Sequence, residues 1–258
     1  MRERELSPIR VALIGSTGRM GREVISALDS HPKLILGAAL DRATIAEKST
    51  AIALISSCDL IIDFSTASAQ DLVTEILGGL NSEAMIPIVT GVTGLSLEQQ
   101  AALKAYSNRA PVFQASNFSF GVALLKHLAT LAARMLGEDF DAEIFELHHR
   151  NKLDAPSGTA ISLAEAVVAG KRASGAERAS YTLSASSPRD HSQVQISAGR
   201  GGGVYGDHSL FFLGEHERVE LKHAALNRSV FAFGALRAAM WSLEQPPGYY
   251  QMEDLWER

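Results

Sequence analysis

The amino-acid sequence predicts an α/β protein with a parallel sheet, followed by a smaller domain of the α+β class. Three observations support this prediction. Short apolar runs alternate with helical patterns up to residue 115. A glycine-rich turn at residues 15–21 joins the first apolar run to the first helical pattern. The alternation stops after Asn117, where a long helical pattern and then several closely spaced apolar runs begin.

The first part of the chain has the order of elements expected when helices cover both faces of a parallel sheet. Residues 9–14 form a continuous apolar run that predicts a buried strand. Residues 19–29 follow, with Met20, Val24 and Leu28 at helical spacing. The other strands are predicted at 34–40, 59–63, 85–90 and 111–115, and the other helices at 67–79 and 97–108.

The second part of the chain predicts longer helices and clustered strands. Helices are predicted at 120–136, 158–170 and 228–242, and a strand at 141–148. Residues 171–193 are rich in Ser, Arg and Ala and predict an exposed connection. Three apolar runs separated by glycine-containing turns then predict an antiparallel meander. These runs cover 194–199, 204–213 and 217–224.

Composition and charge argue against several classes of protein. The 258 residues carry a formal net charge of -5 and no long basic run, so nucleic acid is not an expected partner. No apolar run approaches the roughly 18 residues of a membrane span, and the charged residues 1–5 do not resemble a signal peptide. Cys58, the only cysteine, is predicted to fill the core. These features predict a cytoplasmic protein without membrane partners.

The turn at residues 15–21 has the composition of a phosphate-binding loop. Its glycines allow a tight turn, and they let backbone N–H groups approach a pyrophosphate at the positive end of the following helix. The spacing is G-x-x-G-x-x-G rather than G-x-G-x-x-G, and such a turn also occurs in α/β proteins that bind no nucleotide. The residues predicted to contact a cofactor here are Gly15, Ser16, Thr17, Gly18, Arg19, Met20 and Gly21.

Two residues at the end of the second predicted strand favour a dinucleotide and leave its identity open. Asp41 stands about 20 residues past the glycine turn, where an acidic residue normally binds the ribose hydroxyls of NAD. Arg42 could instead pair with the 2′-phosphate of NADP, or could be a solvated charge after a strand. The sequence therefore predicts NADH, NADPH or both as the cofactor.

Three loops follow other predicted strands. Ligands of open α/β sheets bind outside the carboxyl ends of the strands, so these loops are expected near the nicotinamide. Each loop taken singly could equally be a plain turn. The candidate residues are Phe64 after the third strand, Gly91, Val92 and Thr93 after the fourth, and Ser116, Asn117 and Phe118 after the fifth.

Residues 146–160 combine two histidines, a lysine and the predicted start of a helix. Ser157 is a typical N-cap residue, and the N–H groups that follow it could bind a carboxylate, which Gly158 allows to approach closely. His149 and Lys152 lie three residues apart and could reach the same ligand. In a closed, partly dry site Lys152 could also donate a proton. The segment predicts a site that binds and protonates a small acid.

The same segment resembles the signature of the 4-hydroxy-tetrahydrodipicolinate reductase family. The signature residues are Glu146-x-His148-His149-x-x-Lys152-x-Asp154-Ala155-Pro156-Ser157-Gly158-Thr159-Ala160. The resemblance spans nearly the whole chain, because weaker motifs occur in the expected order. These motifs are Gly15-x-x-Gly18-Arg19-Met20-Gly21, Asp63-Phe64-Ser65, Gly91-x-Thr93-Gly94, Asn117-Phe118-Ser119-x-Gly121, Arg200 with Gly206-x-His208, and Ala235-Leu236-Arg237-Ala238.

The resemblance implies an NAD(P)H-dependent reductase of the diaminopimelate route to lysine. It implies a Rossmann-type nucleotide domain over residues 1–118, completed by the helix and tail at 228–258. It also implies a substrate-binding and oligomerisation domain over 119–227 that carries an open mixed sheet. Members of the family act on a small cyclic dicarboxylate and are usually homotetramers. No metal site is predicted.

The resemblance further implies roles for individual residues. His148 would be the catalytic or orienting histidine and Lys152 the proton donor, although the residues alone leave the final donor open between these two. Taken on its own, His148 is more typical of a core or surface histidine. The residues implied to hold the substrate are His149, Lys152, Ser157, Gly158, Thr159 and Arg200.

Two features depart from the family pattern. Only residues 43–57 separate the second predicted strand from the third, so an element on the adenine side could be missing. Val92 stands where the family often has a threonine, which removes one hydroxyl near the nicotinamide.

Two other functions remain open at the level of sequence. One is a dehydrogenase that acts on a different keto or imino acid, which activity with such a substrate would reveal. The other is an NAD(P)-binding sensor without catalysis, which would bind NADH without turnover. The set of His148, His149 and Lys152 argues against the sensor, because a sensor needs no proton donor.

Overall fold

The computed structural model describes residues 7–81, 83, 85–183 and 188–256. The chain folds into two compact units. The first unit extends to Phe118 and resumes at Arg228, and the second unit is Ser119–Asn227. Among the described residues, no helix is long and apolar enough to cross a membrane, and no group of side chains could hold a metal ion.

The strands and helices are numbered along the chain. The strands are β1 Ile9–Ile14, β2 Leu34–Leu40, β3 Leu60–Asp63, β4 Ile88–Thr90, β5 Pro111–Gln114, β6 Asp141–His148, β7 Ser180–Thr182, β8 Gln193–Arg200, β9 Asp207–Leu213, β10 Arg218–Ala224 and β11 Gly248–Tyr250. The α-helices are α1 Arg19–Asp29, α2 Arg42–Ala46, α3 Lys48–Ser56, α4 Gln70–Gly79, α5 Leu97–Tyr106, α6 Phe120–Leu136, α7 Gly158–Ala173 and α8 Ser229–Ser242.

The first unit contains a six-stranded sheet in the order β11-β5-β4-β3-β1-β2, and every pair in it is parallel. Its central strands are buried, as expected for a parallel sheet covered on both faces. The carboxyl ends align, because Ile14 pairs with both Leu40 and Asp63, and Asp63 pairs with Thr90. The loops after these strands therefore emerge at one edge, and the predicted α/β class with a parallel sheet is confirmed.

The segment at 43–57 contains two short helices, although the sequence suggested that an element could be missing there. Helices α2 and α3 connect β2 to β3, and Ile45, Ala51 and Ile55 of these helices are buried in the core of the first unit. Cys58 follows them as a buried free thiol, which confirms its predicted place in the core.

The C-terminal part of the chain completes the first unit. Helix α8 packs against α1 and β4. The tail then adds β11 beside β5, with Gly248 opposite Pro111 and Tyr250 opposite Phe113. The sequence pattern did not predict this strand, because three residues after a Pro-Pro pair carry too little periodicity to be recognised as a strand.

The second unit contains a five-stranded mixed sheet in the order β10-β9-β6-β8-β7. The predicted hairpin between β9 and β10 is present, with Leu213 opposite Arg218. The predicted pairing of the runs 194–199 and 204–213 is wrong, because β6 lies between β8 and β9. Strand β6 runs parallel to β8 and antiparallel to β9. The three glycines after β8 do not form a hairpin. Instead, Gly201 N donates to His148 O over 2.9 Å.

The segment at 171–193, predicted as an exposed connection, is more structured than expected. Helix α7 extends through Ala173, and β7 at Ser180–Thr182 forms the edge of the mixed sheet beside β8. The part of this prediction that falls on residues 184–187 lies outside the described residues.

Strand β6 is central to the mixed sheet and alternates strictly between buried and less buried residues. Ala142, Ile144, Glu146 and His148 are buried, while Phe145 is exposed on the other face. The buried face packs on apolar residues of α6 and α7. Because side chains of a strand alternate between faces, Glu146 and His148 come to lie side by side at its carboxyl end.

Candidate active site

The glycine turn of the first unit has no room for side chains at its two ends. Gly15 has a φ of +80°, and a Cβ atom there would lie 2.6 Å from the carbonyl oxygen of Phe64. A Cβ atom on Gly21 would lie 2.3 Å from the carbonyl oxygen of Gly15. Since both contacts are with backbone atoms, the turn requires glycine at both positions.

The start of helix α1 is suited to an anion. Gly18 occupies the N-cap position without a side-chain cap, and the first turn of the helix contains no acidic residue. The first N–H groups of a helix have no intrahelical acceptor, and they carry the positive end of the helix dipole. Thr17 and Arg19 are exposed beside them, while Ser16 is buried. These features fit a pyrophosphate.

Asp41 has a structural role in addition to its predicted contact with ribose. It is the N-cap of α2, and its Oδ1 accepts hydrogen bonds from Thr44 N at 2.9 Å and Thr44 Oγ1 at 2.8 Å. The backbone hydrogen bond from Thr44 holds the pKa of Asp41 below its usual value. Because both of these bonds go to Oδ1, Oδ2 can accept from a ribose hydroxyl. Arg42 is exposed next to it.

Asp63 is a buried carboxylate that joins the loops after β3 and β4, a role that the sequence motif alone did not indicate. Its side chain accepts hydrogen bonds from Ser65 N at 2.8 Å, Gln70 Nε2 at 2.6 Å and Thr90 Oγ1 at 3.5 Å. Burial raises the pKa of Asp63 despite these hydrogen bonds. Its backbone carbonyl also accepts from Gly91 N at 2.9 Å. This network fixes the loops in which nicotinamide contacts are predicted.

The predicted nicotinamide loops meet through aromatic contacts. The rings of Phe64 and Phe118 contact each other edge to face, with centroids 5.6 Å apart. Phe118 and Val92 are buried, so their side chains pack inside the protein. Thr93 and Ser116 are exposed, while Gly91 and Asn117 are half-buried.

In the second unit, Glu146 is the centre of a buried polar network. Its carboxylate forms a bidentate ion pair with Arg200, with NH1 to Oε2 at 2.9 Å and NH2 to Oε1 at 3.0 Å. His148 Nδ1 also contacts Oε2, and Ser157 N donates to Oε1 over 3.0 Å. Burial favours the neutral acid, but the bonds from Arg200 and His148 outweigh burial and hold the pKa of Glu146 below its usual value. Glu146 is therefore an anion.

His148 and His208 are neighbouring buried imidazoles. Their ring centroids lie 5.2 Å apart at an angle of 77°. Burial lowers the pKa of His148, although the Glu146 carboxylate opposes this effect. Burial, followed by the effect of His148, lowers the pKa of His208 to about 4. At neutral pH His208 is therefore uncharged.

The start of α7 is held by its N-cap residue. Ser157 Oγ accepts from Ala160 N over 3.2 Å, and the same hydroxyl lies 3.2 Å from His208 Nε2. Gly158 is exposed and Thr159 is half-buried at the start of the helix. The first turn contains no acidic residue, which suits a carboxylate, and binding of substrate there stays a prediction.

Lys152 lies close to this helix start in sequence and already pairs with an acid. Its Nζ is 2.8 Å from Asp154 Oδ1, and the side chain of Asp154 is 57% exposed. The hydrogen bond from Lys152 holds the pKa of Asp154 below its usual value. His149 is half-buried, and its carbonyl accepts from Lys152 N over 3.1 Å. An exposed partner such as Asp154 is readily replaced by the carboxylate of a ligand.

Arg200 is the candidate residue whose surroundings differ most from its implied role. Besides Glu146, its terminal nitrogens donate to Gly199 O at 2.6 Å and Asp154 O at 2.5 Å. Among the described residues its Nε is buried without a partner. Direct binding of substrate by Arg200 stays a prediction, since its terminal N–H groups are bonded within the chain.

The sequence assigned no role to Glu146 or His208. For Glu146 a signal existed, because it stands two residues before His148 on a predicted strand.

The low pKa of His208 predicts a loss of stability in acid. An unfolded histidine binds a proton near pH 6.5, whereas folded His208 binds one only near pH 4. Protons therefore favour the unfolded state, and stability should fall by roughly 3 kcal/mol as the pH drops through this interval. We expect urea unfolding at a series of pH values to show a smaller loss for His208→Gln. The exposed His216→Gln should behave like the parent protein, and equal pH dependence of the two variants would contradict the prediction.

Comparisons with known proteins match both parts of the chain. The family model for the dihydrodipicolinate reductase N-terminus matches residues 9–118, and the model for the C-terminus matches residues 121–256. The chain is 36% identical over 272 residues to the 4-hydroxy-tetrahydrodipicolinate reductase of Methylocella silvestris, covering 97% of both chains. It is 38% identical to the reductase of the same name from Zymomonas mobilis, covering 96% of this chain and 97% of that protein.

A solved structure has the same fold. It is the dipicolinate-bound dihydrodipicolinate reductase from Paenisporosarcina sp. TG-14, with a TM-score of 0.73 and 24% sequence identity. The match covers 95% of this chain and 97% of that chain. Both family models and relatives matched over nearly their whole length lead to the same conclusion: the chain belongs to the dihydrodipicolinate reductase family.

Proposed function

We propose that this protein reduces 4-hydroxy-tetrahydrodipicolinate to tetrahydrodipicolinate with NAD(P)H, in the diaminopimelate route to lysine. The observation that carries the proposal is the arrangement at the carboxyl end of β6. There the family signature places a cation at Lys152, two histidines and a capped helix start that lacks acidic residues. The proposed reduction uses a small anionic substrate and needs a proton source, and this arrangement is suited to both.

The first unit supplies the features that a dinucleotide needs. The backbone of residues 15–21 and the N-terminus of α1 would hold the pyrophosphate, and Asp41 with Arg42 would meet the adenosine ribose. The loops with Phe64, residues 91–93 and residues 116–118 would contact the nicotinamide side. When bound, NAD(P)H supplies the hydride. Asp41 and Arg42 are compatible with either form of the cofactor, so we propose that both can bind.

The second unit supplies the features that a cyclic dicarboxylate needs. One carboxylate would accept N–H groups at the start of α7, where Gly158 allows close approach and Thr159 adds a hydroxyl. The other would replace Asp154 at Lys152 Nζ and contact His149. Charge-assisted hydrogen bonds of this kind contribute about 1.5–3 kcal/mol each, so two or three hold a dicarboxylate firmly. The dipicolinate in the Paenisporosarcina relative supports a ligand of this class.

The residues of this chain would bind, orient and protonate the substrate. Lys152 Nζ carries three exchangeable protons next to the proposed carboxylate site, and His148 Nε2 is the other nitrogen available for proton transfer. Hydride transfer needs one proton to complete the reduced product. The hydroxyl group leaves as water with a second proton, which is offset by the proton that the neighbouring ring carbon loses, so the net reaction consumes one proton. We assign the proton that accompanies reduction to Lys152, with His148 as an orienting neighbour.

We further propose a cytoplasmic homotetramer assembled through the mixed sheet. Phe145 on β6 and Leu213 on β9 are exposed on the face opposite to the helices, with relative exposures of 47% and 36%. Apolar side chains in such a position are suited to contact with another copy of the chain. Sedimentation equilibrium of the protein and of a Phe145→Glu variant would test the assembly, since the variant should dissociate.

The activity can be tested by following the loss of NADH absorbance, and separately that of NADPH. The substrate is generated in place from pyruvate and aspartate semialdehyde by a synthase. Oxidation that requires both the synthase and this protein would support the proposal, and the two rates would give the cofactor preference. Binding of NADH without oxidation would contradict it and would favour a sensor or a different substrate.

A further inference from the structure

The carboxylate of Glu146 accepts hydrogen bonds from three parts of the second unit. Its side chain is completely buried, and its two oxygens accept four hydrogen bonds. The donors are His148 on the same strand, both terminal nitrogens of Arg200 at the end of β8, and the backbone of Ser157 before α7. The carboxylate therefore links the histidine to the helix start where the substrate is proposed to bind.

The ion pair explains how a buried carboxylate can remain charged. Removing a carboxylate from water is costly unless the charge is paired and its lone pairs are satisfied. The planar fork of Arg200 provides both, because it binds both oxygens of Glu146 at 2.9 and 3.0 Å. Arg200 is held in turn by the carbonyl groups of Gly199 and Asp154.

The contact with Glu146 determines which nitrogen of His148 carries a proton. A carboxylate only accepts hydrogen bonds, so His148 Nδ1 must donate. In the neutral ring, Nε2 is then unprotonated and can exchange a proton with a ligand. This nitrogen faces Gly206, where a Cβ atom would lie 2.9 Å from Nε2. Glycine at this position leaves space beside the reactive nitrogen.

Building on the proposed function, we propose that Glu146 is a positioning residue for the reductase reaction and that Arg200 acts through it. Glu146 holds His148 in the tautomer with a proton on Nδ1, and it fixes the start of α7 through Ser157 N. Arg200 keeps the carboxylate charged and in place, and does not itself bind the substrate. The orienting histidine and the helix start that binds carboxylate thus share a single support.

The isosteric variant Glu146→Gln tests the proposal. The oxygen of the new side-chain amide would take the place of Oε1, which accepts from Arg200 NH2 and Ser157 N. Its NH2 group would then face His148 Nδ1 and favour the opposite tautomer, and the hydrogen bond from Arg200 NH1 would be lost. In ¹⁵N spectra of the imidazoles, with the His148 signals assigned from a His148→Gln variant, we expect the proton to move from Nδ1 to Nε2. Turnover should fall by roughly 10²–10⁴-fold, as when a catalytic histidine is held in the wrong tautomer. The affinity for NADH should not change.

A matched control lies on the same strand. Glu143 also forms an ion pair with an arginine, Arg189, at 2.5 Å, but it is only partly buried and lies on the other face of β6. Glu143→Gln should therefore leave the His148 tautomer and the turnover unchanged. If Glu143→Gln lowers turnover as much as Glu146→Gln does, then loss of any negative charge from β6 lowers turnover, and the proposal is wrong.

A second variant distinguishes positioning from direct binding and also serves if Glu146→Gln does not fold. Arg200→Lys keeps the charge but loses the bidentate fork, so we expect kcat to fall more than 10-fold and the KM for substrate to change less than about threefold. A large rise in KM with unchanged kcat and tautomer would show that Arg200 binds substrate and would overturn the proposal. The tautomer of His148 can be measured without turnover. A parent protein that is inactive in the coupled assay would therefore overturn the proposed activity, and the tautomer measurement would still test the role of Glu146.

Discussion

Replacement of Lys152 by alanine should reduce turnover by roughly 10²–10⁴-fold while leaving the affinity for NADH nearly intact. The variant loses both a cation that binds substrate and the proposed proton donor. The predicted cofactor residues all lie in the first unit, whereas Lys152 belongs to the second. Initial rates in the synthase-coupled assay and fluorescence titration with NADH would measure the two effects independently.

Two further variants separate the two roles of Lys152. Lys152→Arg keeps a cation near the carboxylate but cannot release a proton at neutral pH, so KM should stay near that of the parent while kcat falls. Lys104→Ala removes an exposed lysine of α5 and should have no effect. Full activity of Lys152→Ala would exclude this residue as the acid and would leave His148 as the donor.

Replacement of Gly21 by alanine should weaken NADH binding by about 100-fold or more, because displacing binding groups by even 1 Å has effects of this size. The new Cβ would lie 2.3 Å from Gly15 O and 2.8 Å from the Cα of Ser16. No side-chain movement can relieve contacts with backbone, so the turn must open and its N–H groups move. Overpacking of this kind also costs about 1–3 kcal/mol of stability.

The control for this variant is Gly78→Ala in the same unit. Gly78 is an exposed residue of α4, and a Cβ there would meet nothing within 4 Å. It should bind NADH normally, and it should be slightly more stable because alanine favours a helix. NADH affinity of Gly21→Ala within threefold of the parent would show that the turn does not bind the pyrophosphate.

The elements predicted best are those whose signals are local. The bounds of β1, α1, β2, α6 and β6 in the structure coincide with the runs expected from periodicity. The turn at residues 15–21 could also be recognised, because the spacing of its glycines is a local pattern. The contact that requires glycine at position 15 is not local, since it is with the carbonyl oxygen of Phe64. The sequence pattern at 43–57 does not predict helices α2 and α3, because helices of 5 and 9 residues contain too few turns to show a clear apolar period.

Sheet neighbours could not be predicted in the same way. The apolar runs of β8 and β9 stand next to each other in sequence and suggested a hairpin, yet β6 separates them. Strand β11 joins the parallel sheet although its three residues carry no recognisable strand pattern. Periodicity tells which face of a strand is buried, but it does not tell which strand lies alongside, because that depends on packing of the whole unit.

The sequence by itself determined the α/β class, the family and the set of reactive residues between Glu146 and Thr159, since these depend on residue type and short spacing. The two-residue period of a strand explains why Glu146 and His148 share one face of β6. Only the tertiary structure brought Arg200 and His208 to this face, from β8 on one side of β6 and β9 on the other. That pairing buries Glu146, and burial is what makes its charge depend on the fork of Arg200.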